Sequence, residues 1–217
     1  MPLESMSDFF TARVAGYDVH MLTEVEGCAE AYAQTAAHLP ADLGELLDLG
    51  CGTGLELAPI FARFPRVAVT GVDITPAMLD QLRAKYPDRA VKLICGSYFD
   101  VDFGVAHYDA AVAVETLHHF PAAQKVGLYA RIRNALKPGG VFLDCDYLAD
   151  TDAEEARFFA ENARLCAEAH VAPGAFYHYD TPLTLAHERD ALLQAGFLRV
   201  ETRWQQGHTA LLAAISA

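Results

Sequence analysis

The sequence predicts an α/β protein in which helices surround a doubly wound, Rossmann-like sheet. Three observations support this prediction. Short apolar segments typical of buried strands alternate with longer segments of helical periodicity from residue 44 to residue 147. A glycine-rich turn follows the first apolar segment, and an aspartate ends the second. Strands and helices that alternate in this way form right-handed crossovers and a parallel sheet.

Length and charge limit what the protein can be. The chain has 217 residues, 53% of them hydrophobic, which suffices for one substantial domain but not for two large ones. Its net charge of −13 would repel the phosphate backbone of a nucleic acid. No apolar segment approaches the roughly 20 residues that span a bilayer, and the first ten residues do not resemble a secretory signal. We therefore expect a cationic or neutral small-molecule partner, and neither a nucleic acid nor a membrane.

The cysteines indicate a reducing compartment. They are odd in number, and no two of them form a CxxC pair. They are dispersed along the chain: Cys28, Cys51, Cys95, Cys145 and Cys166. We therefore expect a cytoplasmic protein, for which a homodimer is an open alternative to a monomer.

The elements are predicted from periodicity and from turn residues. The N-terminal helices are expected over 7–14 and 17–39, ending at Pro40. Five strands follow, over 44–50, 67–73, 91–96, 108–114 and 141–147. The helices between them are predicted over 55–64, 75–86 and 121–136. Thr75 is the expected N-cap of the second of these helices, with Pro76 at its first position. The turn from Pro138 to Gly140 leads into the fifth strand.

The C-terminal third is predicted to hold two helices and a hairpin. One helix is expected over 152–170, and another over 184–197 with Gly196 as its stop. An irregular segment lies between them, over 172–182. Two strands close the chain, over 198–206 and 208–217, with Gln206-Gly207 as their turn.

The glycine loop after the first strand is the strongest functional signal. Gly50 and Gly52 let the backbone turn tightly and approach a ligand without a Cβ in the way. Asp73 ends the second strand, where a carboxylate can accept both hydroxyls of a ribose. The spacing is GxGxG, and not the GxGxxG of dinucleotide binders, so a nicotinamide-binding fold is the less favoured alternative.

The segment LLDLGCGTG, with GVDIT and ALKPGGVFL, resembles the motifs of the class I S-adenosylmethionine (SAM)-dependent methyltransferases. The resemblance covers roughly Leu46 to Tyr147. It implies a seven-stranded sheet of order 3-2-1-4-5-7-6 with strand seven antiparallel. It also implies that SAM lies across the glycine loop, with its ribose on Asp73 and its methionine end near Asp48 and Gly50.

The resemblance implies a wider set of cofactor contacts. Many relatives place an aspartate after the third strand for the adenine amino group, but Ser97 stands there in this chain, followed by Tyr98, which could stack on the ring. Tyr17 resembles the tyrosine that many relatives fold over SAM. The predicted cofactor residues are Tyr17, Asp48, Gly50, Cys51, Gly52, Asp73, Ile74, Ser97, Tyr98 and Glu115.

The acceptor side is predicted at the ends of strands four and five. The segment from Glu115 to Phe120 resembles the loop of small-molecule methyltransferases, including phosphoethanolamine and ubiquinone-pathway types. In the former, a histidine at the place of His119 works near the acceptor. We therefore predict His119 as the base or orienting group, with Glu115 and Asp146 as its polar neighbours. The alternative is that His118 and His119 cap a helix or pack beneath the sheet.

Further acceptor contacts are expected from the aromatic segment Phe176 to Asp180, which could form a cation-binding wall or simply pack on the core. The predicted substrate residues are His118, Tyr147, Tyr177, His178 and Tyr179. No metal is predicted, because no pair of ligands has the spacing of a known zinc motif. Asp144 and Asp146 should point to one face of their strand and Cys145 to the other.

The sequence thus predicts a SAM-dependent methyltransferase that acts on a nitrogen, oxygen or sulfur atom of a small molecule. Two alternatives stay open: an enzyme that makes a derivative of SAM, and a SAM-binding protein without turnover. One domain is expected over 1–217. Its predicted parts are a helical cap at 1–40, a SAM-binding core at 41–150, a substrate-covering insertion at 151–182 and a C-terminal helix and hairpin at 183–217.

Overall fold

The part of the chain that the computed structural model describes, residues 3–172 and 175–217, forms one sheet of seven strands. The strands are β1 (Glu45–Leu49), β2 (Ala68–Asp73), β3 (Val91–Cys95), β4 (Tyr108–Val114), β5 (Leu136–Tyr147), β6 (Arg199–Gln206) and β7 (Thr209–Ile215). The helices are α1 (Met6–Arg13), α2 (Tyr17–Thr23), α3 (Cys28–His38), α4 (Leu57–Arg63), α5 (Pro76–Lys85), α6 (Ala122–Ala135), α7 (Asp152–Glu168) and α8 (Leu185–Gln194).

The strand order is β3-β2-β1-β4-β5-β7-β6, which confirms the predicted topology. Strands β1 to β5 are parallel, and β7 pairs antiparallel with both β5 and β6. The chain reverses its direction of winding between β1, which pairs with β2, and β4, which also pairs with β1. In open α/β sheets the crevice at such a switch point, at the carboxyl ends of the strands, is where ligands bind.

Alternate strand residues supply a core on each face of the sheet, as the period of two requires. Leu47 and Ala111 belong to one buried cluster, whereas Leu46 and Ala110 belong to the other. In β5, Cys145 packs into the second cluster, while the buried Asp144 bonds to a tyrosine of the first. The predicted opposition of Asp144 and Cys145 across the strand is therefore confirmed.

The structure corrects three local predictions and places Thr75 at the N-cap as predicted. The helix expected over 17–39 is two helices, because Gly27 adopts a positive φ of 78° that breaks the helical path between α2 and α3. The two-residue turn of the hairpin is Gly207-His208, since Gln206 already pairs with Thr209. Thr75 stands at the N-cap of α5 but its side chain accepts no capping bond. The segment Pro138 to Gly140 lies inside β5, as an irregular stretch in which the register with β4 shifts.

The N-terminal segment lies against the irregular segment that follows α7. The backbone N–H of Met6 donates to the carbonyl of Phe176 at 2.9 Å, and the N–H of His178 donates to Glu4 at 3.1 Å. Pro173 and Gly174, which belong to the segment predicted as irregular, lie outside the described residues. Within the residues described, no helix has the length and apolar character needed to cross a membrane.

Candidate active site

The glycine loop lies against the ends of β2 and β4. The N–H of Gly50 donates to the carbonyl of Val72 at 2.8 Å, which holds the loop to β2. Gly50 has a φ of +69°, and a Cβ at this position would lie 2.1 Å from Oγ1 of Thr116. Any side chain at Gly50 would therefore meet both a strained backbone and a steric clash, so the loop requires glycine there.

Asp73 braces the same loop from the end of β2. Its Oδ2 accepts a hydrogen bond from the N–H of Gly52 at 2.9 Å, and its Oδ1 accepts from the N–H of Thr75 at 2.7 Å. Burial raises the pKa of Asp73, while these two donors act in the opposite direction. Each oxygen keeps a second lone pair, so the carboxylate can still accept the two hydroxyls of a ribose.

A cavity opens above the glycine loop, and we call it the inner cavity. Nine of the ten predicted cofactor residues line it. These are Tyr17, Gly50, Cys51, Gly52, Asp73, Ile74, Ser97, Tyr98 and Glu115. Sequence reasoning missed other lining residues, among them Phe10, Tyr32, Thr53, Glu56, Met78 and Phe120. Of these, Thr53 could have been found, since it belongs to the glycine loop.

Asp48 is the predicted cofactor residue that does not line the inner cavity. It is 1% exposed and lies beneath the loop beside Glu56. Burial and the neighbouring Glu56 carboxyl raise the pKa of Asp48. Burial also raises the pKa of Glu56, to about 7. A direct contact of Asp48 with a ligand is therefore not supported, because the Glu56 carboxyl, and not that of Asp48, faces the cavity.

A second cavity, of about 1060 Å³, adjoins the first, and we call it the outer cavity. Its walls come from both ends of the chain, residues 9–26 and 206–209, and from the ends of β4 and β5. Among the predicted acceptor residues, those that line it are Glu115, His118, His119, Tyr147 and His178. Asp146, Tyr177 and Tyr179 do not. Asp146 lies beneath the wall, and Tyr177 forms a β-bridge with Ser5 of the N-terminal segment.

Four residues line both cavities: Phe10, Tyr17, Glu115 and His119. They therefore mark the boundary between the two spaces. Any group that passes from a ligand in the inner cavity to one in the outer cavity must pass among these side chains.

The carboxylate of Asp146 pairs with His118 and not with His119, which corrects the predicted pairing. Nδ1 of His118 lies 2.5 Å from Oδ1 of Asp146, and the carboxylate also accepts the N–H groups of Leu117 and Tyr147. Burial lowers the pKa of His118, but the charge and hydrogen bond of Asp146, together with the charges of Asp180 and Glu115, outweigh burial and raise the pKa to about 9. The prediction failed because the side chain of His118, and not that of His119, turns towards Asp146. The sequence does not show which of two adjacent side chains does so.

His119 has a different carboxylate neighbour, Asp180. Nδ1 of His119 lies 3.3 Å from Oδ1 of Asp180 and 3.3 Å from the carbonyl oxygen of Tyr179. Both neighbours are acceptors, which favours the tautomer with its proton on Nδ1 and a lone pair on Nε2. Burial and the adjacent His118 cation lower the pKa of His119, so its imidazole is neutral near pH 7. The Asp180 carboxylate acts to raise the pKa of His119, but burial and His118 outweigh it.

Glu115 occupies a strained position at the cavity boundary. Its φ is +52°, which is unusual for a residue with a side chain, and such strain concentrates at functional sites. Its Oε1 accepts a hydrogen bond from Oγ1 of Thr209 at 3.3 Å. Burial raises the pKa of Glu115 to about 7, and the charge of Asp146 adds to the rise.

Two groups of side chains at the strand ends have the spacing of metal ligands. Potential ligand atoms of His118, His119 and Asp180 lie within 4.8 Å of one another, as do those of Glu115, His118 and Asp146. Each group nevertheless combines histidines with carboxylates that pair directly. The same contacts are therefore explained as acid–base pairs, and metal independence stays a prediction.

The chain is similar in sequence to proteins that bind or use S-adenosylmethionine. Residues 46–140 match a family model described as a methyltransferase domain. The carboxy-S-adenosyl-L-methionine synthase of Citrifermentans bemidjiense is 28% identical over 94% of this chain and 91% of that protein. The cypemycin N-terminal methyltransferase of a Streptomyces species is 36% identical over 52% of this chain and 46% of that protein.

Among solved structures, human N-acetylserotonin methyltransferase in complex with SAM superposes with a TM-score of 0.69 at 17% identity. The match covers 98% of this chain and 59% of the human chain, and at this identity it supports the fold alone. This chain thus spans nearly the whole synthase but only about half of the other two relatives.

Proposed function

Because this chain belongs to the class I SAM-dependent methyltransferases, we propose that it transfers the methyl group of SAM to a small molecule held in the outer cavity. The observation that supports this best is the pair of adjoining cavities, with Glu115 and His119 in the wall of both. A methyl transferase needs two ligand spaces that meet where the sulfonium carbon is attacked. The inner cavity would hold SAM, with its ribose on Asp73 and its methyl group directed at the boundary.

The charge of the outer cavity favours a cationic or neutral acceptor. Its described lining includes the carboxylates Glu26, Glu115 and Asp180, and Arg13 is the one Lys or Arg among these lining residues. Arg13 already forms an ion pair with Glu4 at 3.2 Å. His118, a cation with its pKa near 9, also lines the cavity, but it is paired with the buried Asp146. Because both cations already have carboxylate partners, the lining favours an amine or a neutral hydroxyl compound over an anionic acceptor.

His119 is the proposed acceptor-side base, and Asp180 is the carboxylate that orients it. In the step, a lone pair of the acceptor attacks the methyl carbon while the carbon–sulfur bond breaks and leaves neutral S-adenosylhomocysteine (SAH). The acceptor's proton passes to Nε2 of His119. Glu115, with its pKa near 7, is the second group at the boundary that could receive this proton. The substrate contacts proposed for His118, Tyr147 and His178 follow from their place in the same wall.

Labelled SAM provides the test of this function. The protein is incubated with methyl-labelled SAM and fractionated pools of amines, hydroxyl compounds and thiols, with and without EDTA. We expect transfer of label to a small molecule, equimolar SAH, and no effect of EDTA. Calorimetry that detects NADH binding and no binding of SAM or SAH would contradict the assignment.

A carboxylated SAM derivative is the second candidate product, because the match to the synthase extends over nearly both full chains. Mass spectrometry of the spent cofactor separates the two reactions, since methyl transfer leaves SAH and the alternative leaves a SAM of increased mass. The unfavourable charge of the outer cavity argues against this candidate, because an added carboxylate would face Glu115 and Asp180. A SAM-binding protein without turnover would produce neither species.

The proposal also covers the segments that enclose the site, the cellular location and the oligomeric state. Residues 1–40 would act as a helical cap, and 151–182 as the segment that covers the acceptor, with Tyr177 and Tyr179 as more distant contacts. A cytoplasmic location agrees with five cysteines that are all free. A homodimer would agree with α7, in which no described residue is fully buried, and size-exclusion chromatography with light scattering tests it.

A further inference from the structure

Glu56 is the least satisfied charged group of the inner cavity. It directly precedes α4, lines the cavity and is 6% exposed. Its Oε1 is buried and receives no hydrogen bond from any residue that the structure describes. Buried carboxylate oxygens are almost always hydrogen-bonded, so this one lacks a donor that something outside the chain can supply.

The neighbours of Glu56 leave this oxygen without a donor. The carboxyl groups of Asp48 and Glu56 share a side-chain hydrogen bond. Oδ2 of Asp48 and Oε1 of Glu56 nevertheless both stay buried and without a partner among the described residues. Lys85, whose charge acts on Glu56, forms its ion pair with Asp18 at 2.6 Å. Two buried carboxyl groups therefore lie side by side with no cation bonded to them, and only Glu56 faces the cavity.

The other carboxylates of the inner cavity are already engaged. Asp73 accepts the N–H groups of Gly52 and Thr75 and faces the expected ribose position. Glu115 accepts from Thr209 and stands at the boundary where the methyl group must leave. No Lys or Arg is found among the described residues that line the cavity, so the space is suited to a cation.

SAM offers three kinds of hydrogen-bond donor: the adenine amino group, the ribose hydroxyls and the α-ammonium group of its amino-acid end. If the ribose lies on Asp73, the ammonium is the donor that remains for a buried carboxylate next to the glycine loop. An ammonium group carries three N–H donors and a full charge, which is what an unpaired carboxylate binds most strongly. Tyr17 and Tyr32, which line the same cavity, add aromatic faces that attract a cation.

We propose that Glu56 binds the α-ammonium group of the cofactor and thereby distinguishes ligands with an amino-acid end from simple adenosine thioethers. The proposal rests on SAM being the cofactor. It replaces the expected role of Asp48, which becomes the buried neighbour that holds Glu56 in place.

The test compares two ligands that differ in this end. SAH keeps the amino-acid end, and 5′-methylthioadenosine has a methyl group in its place. Calorimetry measures both ligands against the wild type, Glu56→Gln and Asp73→Asn. We expect Glu56→Gln to lower the affinity for SAH by about tenfold or more. The affinity for 5′-methylthioadenosine should stay within about threefold of the wild-type value. Asp73→Asn, the matched control, should weaken both ligands.

Two results with Glu56→Gln would overturn the proposal: an unchanged affinity for SAH, or an equal loss of affinity for SAH and for 5′-methylthioadenosine. A wild type that binds neither ligand would show instead that the cofactor itself is wrong, and the proposal would fall with it. N-acetylated SAH, which lacks the ammonium charge, tests the same contact without a substitution. The wild type should bind it at least about tenfold more weakly than SAH, and equal affinity would also overturn the proposal.

Discussion

Asp18 fastens the helix that carries Tyr17 to the glycine loop, because its Oδ1 accepts a hydrogen bond from Oγ1 of Thr53 at 2.5 Å. Its Oδ2 lies 2.6 Å from Nζ of Lys85 at the end of α5. No residue of α2 is fully buried, and Val19 is 64% exposed. The contacts of Asp18 with Thr53 and Lys85 therefore contribute much of what holds α2 above the inner cavity.

The first prediction concerns this contact. Asp18→Ala removes both bonds and should speed SAH dissociation by roughly three- to tenfold, since a partly exposed charged bond is worth about 1 kcal/mol. Stopped-flow fluorescence with a SAH analogue measures the rate. The control is Asp80→Ala, which breaks an exposed pair with Arg83 on α5 and should change nothing. Equal rates in wild type and Asp18→Ala would show that α2 is held by other contacts.

The second prediction concerns the proposed base. His119→Ala should lower kcat by roughly 10²- to 10⁴-fold, the usual worth of a general base, and leave SAH affinity within a few-fold. Asp180→Asn should lower kcat less, because it removes only the group that orients the ring. His187→Ala, on the exposed surface of α8, is the control. Loss of SAH binding in His119→Ala would make His119 a structural residue, and full activity would mean that the acceptor needs no base there.

The third prediction is a dependence of stability on pH. The pKa of His118 rises from 6.5 to about 9 in the folded protein. Burial lowers it, but Asp146, Asp180 and Glu115 together outweigh burial, and Asp146 contributes the most among them. The folded state thus binds a proton that the unfolded state releases above pH 6.5. This contribution, on the order of 3 kcal/mol, is complete below pH 6.5 and is lost as the pH rises through 9.

Urea unfolding between pH 7 and pH 9 measures this loss. The ionisation of Glu56 and Glu115, whose pKa values lie near 7, is about half complete at pH 7 and about nine tenths complete at pH 8. The loss between pH 8 and pH 9 is therefore the part to assign to His118. Asp146→Asn removes the charge and keeps one of the two oxygens that accept the N–H groups of Leu117 and Tyr147. Its unfolding free energy should be nearly flat over the same range. A slope as steep as that of the wild type would assign the dependence to another group.

The fourth prediction concerns the ion pair between α6 and α8. Nζ of Lys125 lies 2.5 Å from Oε2 of Glu188, and both side chains are 1% exposed. Tyr129 bonds to the same Glu188 and to Asp144. Lys125→Met leaves these carboxylates without their cation and should cost about 3–5 kcal/mol of unfolding free energy. The double variant Lys125→Met with Glu188→Gln should recover a large part of that loss, and a harmless single variant would contradict this account.

The fold could be predicted because its signals are local. Apolar segments such as that ending at Leu49 need burial on both faces. Gly50 and Asp73 stand at the carboxyl ends of two neighbouring strands, where open α/β sheets bind their ligands. The reversed last strand followed from the resemblance and from the hairpin. The break at Gly27 was missed because the helical periodicity continues through it, and only the positive φ shows the interruption.

The site was harder to predict where partners are distant in sequence. His119 meets Asp180 across 61 positions, and the two adjacent histidines turn to different carboxylates. No periodicity encodes such a choice, which depends on how the loops after β4 and α7 pack. Glu56 was missed for another reason: within a helical pattern a single glutamate is usually a solvated residue, and its burial beneath α2 becomes visible only in three dimensions.

Residues 9–26 and residues 206–209 line the outer cavity. The ribosome adds the first group early in synthesis and the second group late. The glycine loop and Asp73, the proposed contacts of the cofactor, are made before Ser97, whereas Thr209, the partner of Glu115, follows more than a hundred residues later. A nascent chain thus contains the proposed cofactor contacts of the glycine loop and β2 well before it contains the residues that close the outer cavity around an acceptor. The wall of the outer cavity is therefore complete only once the hairpin of β6 and β7 has formed.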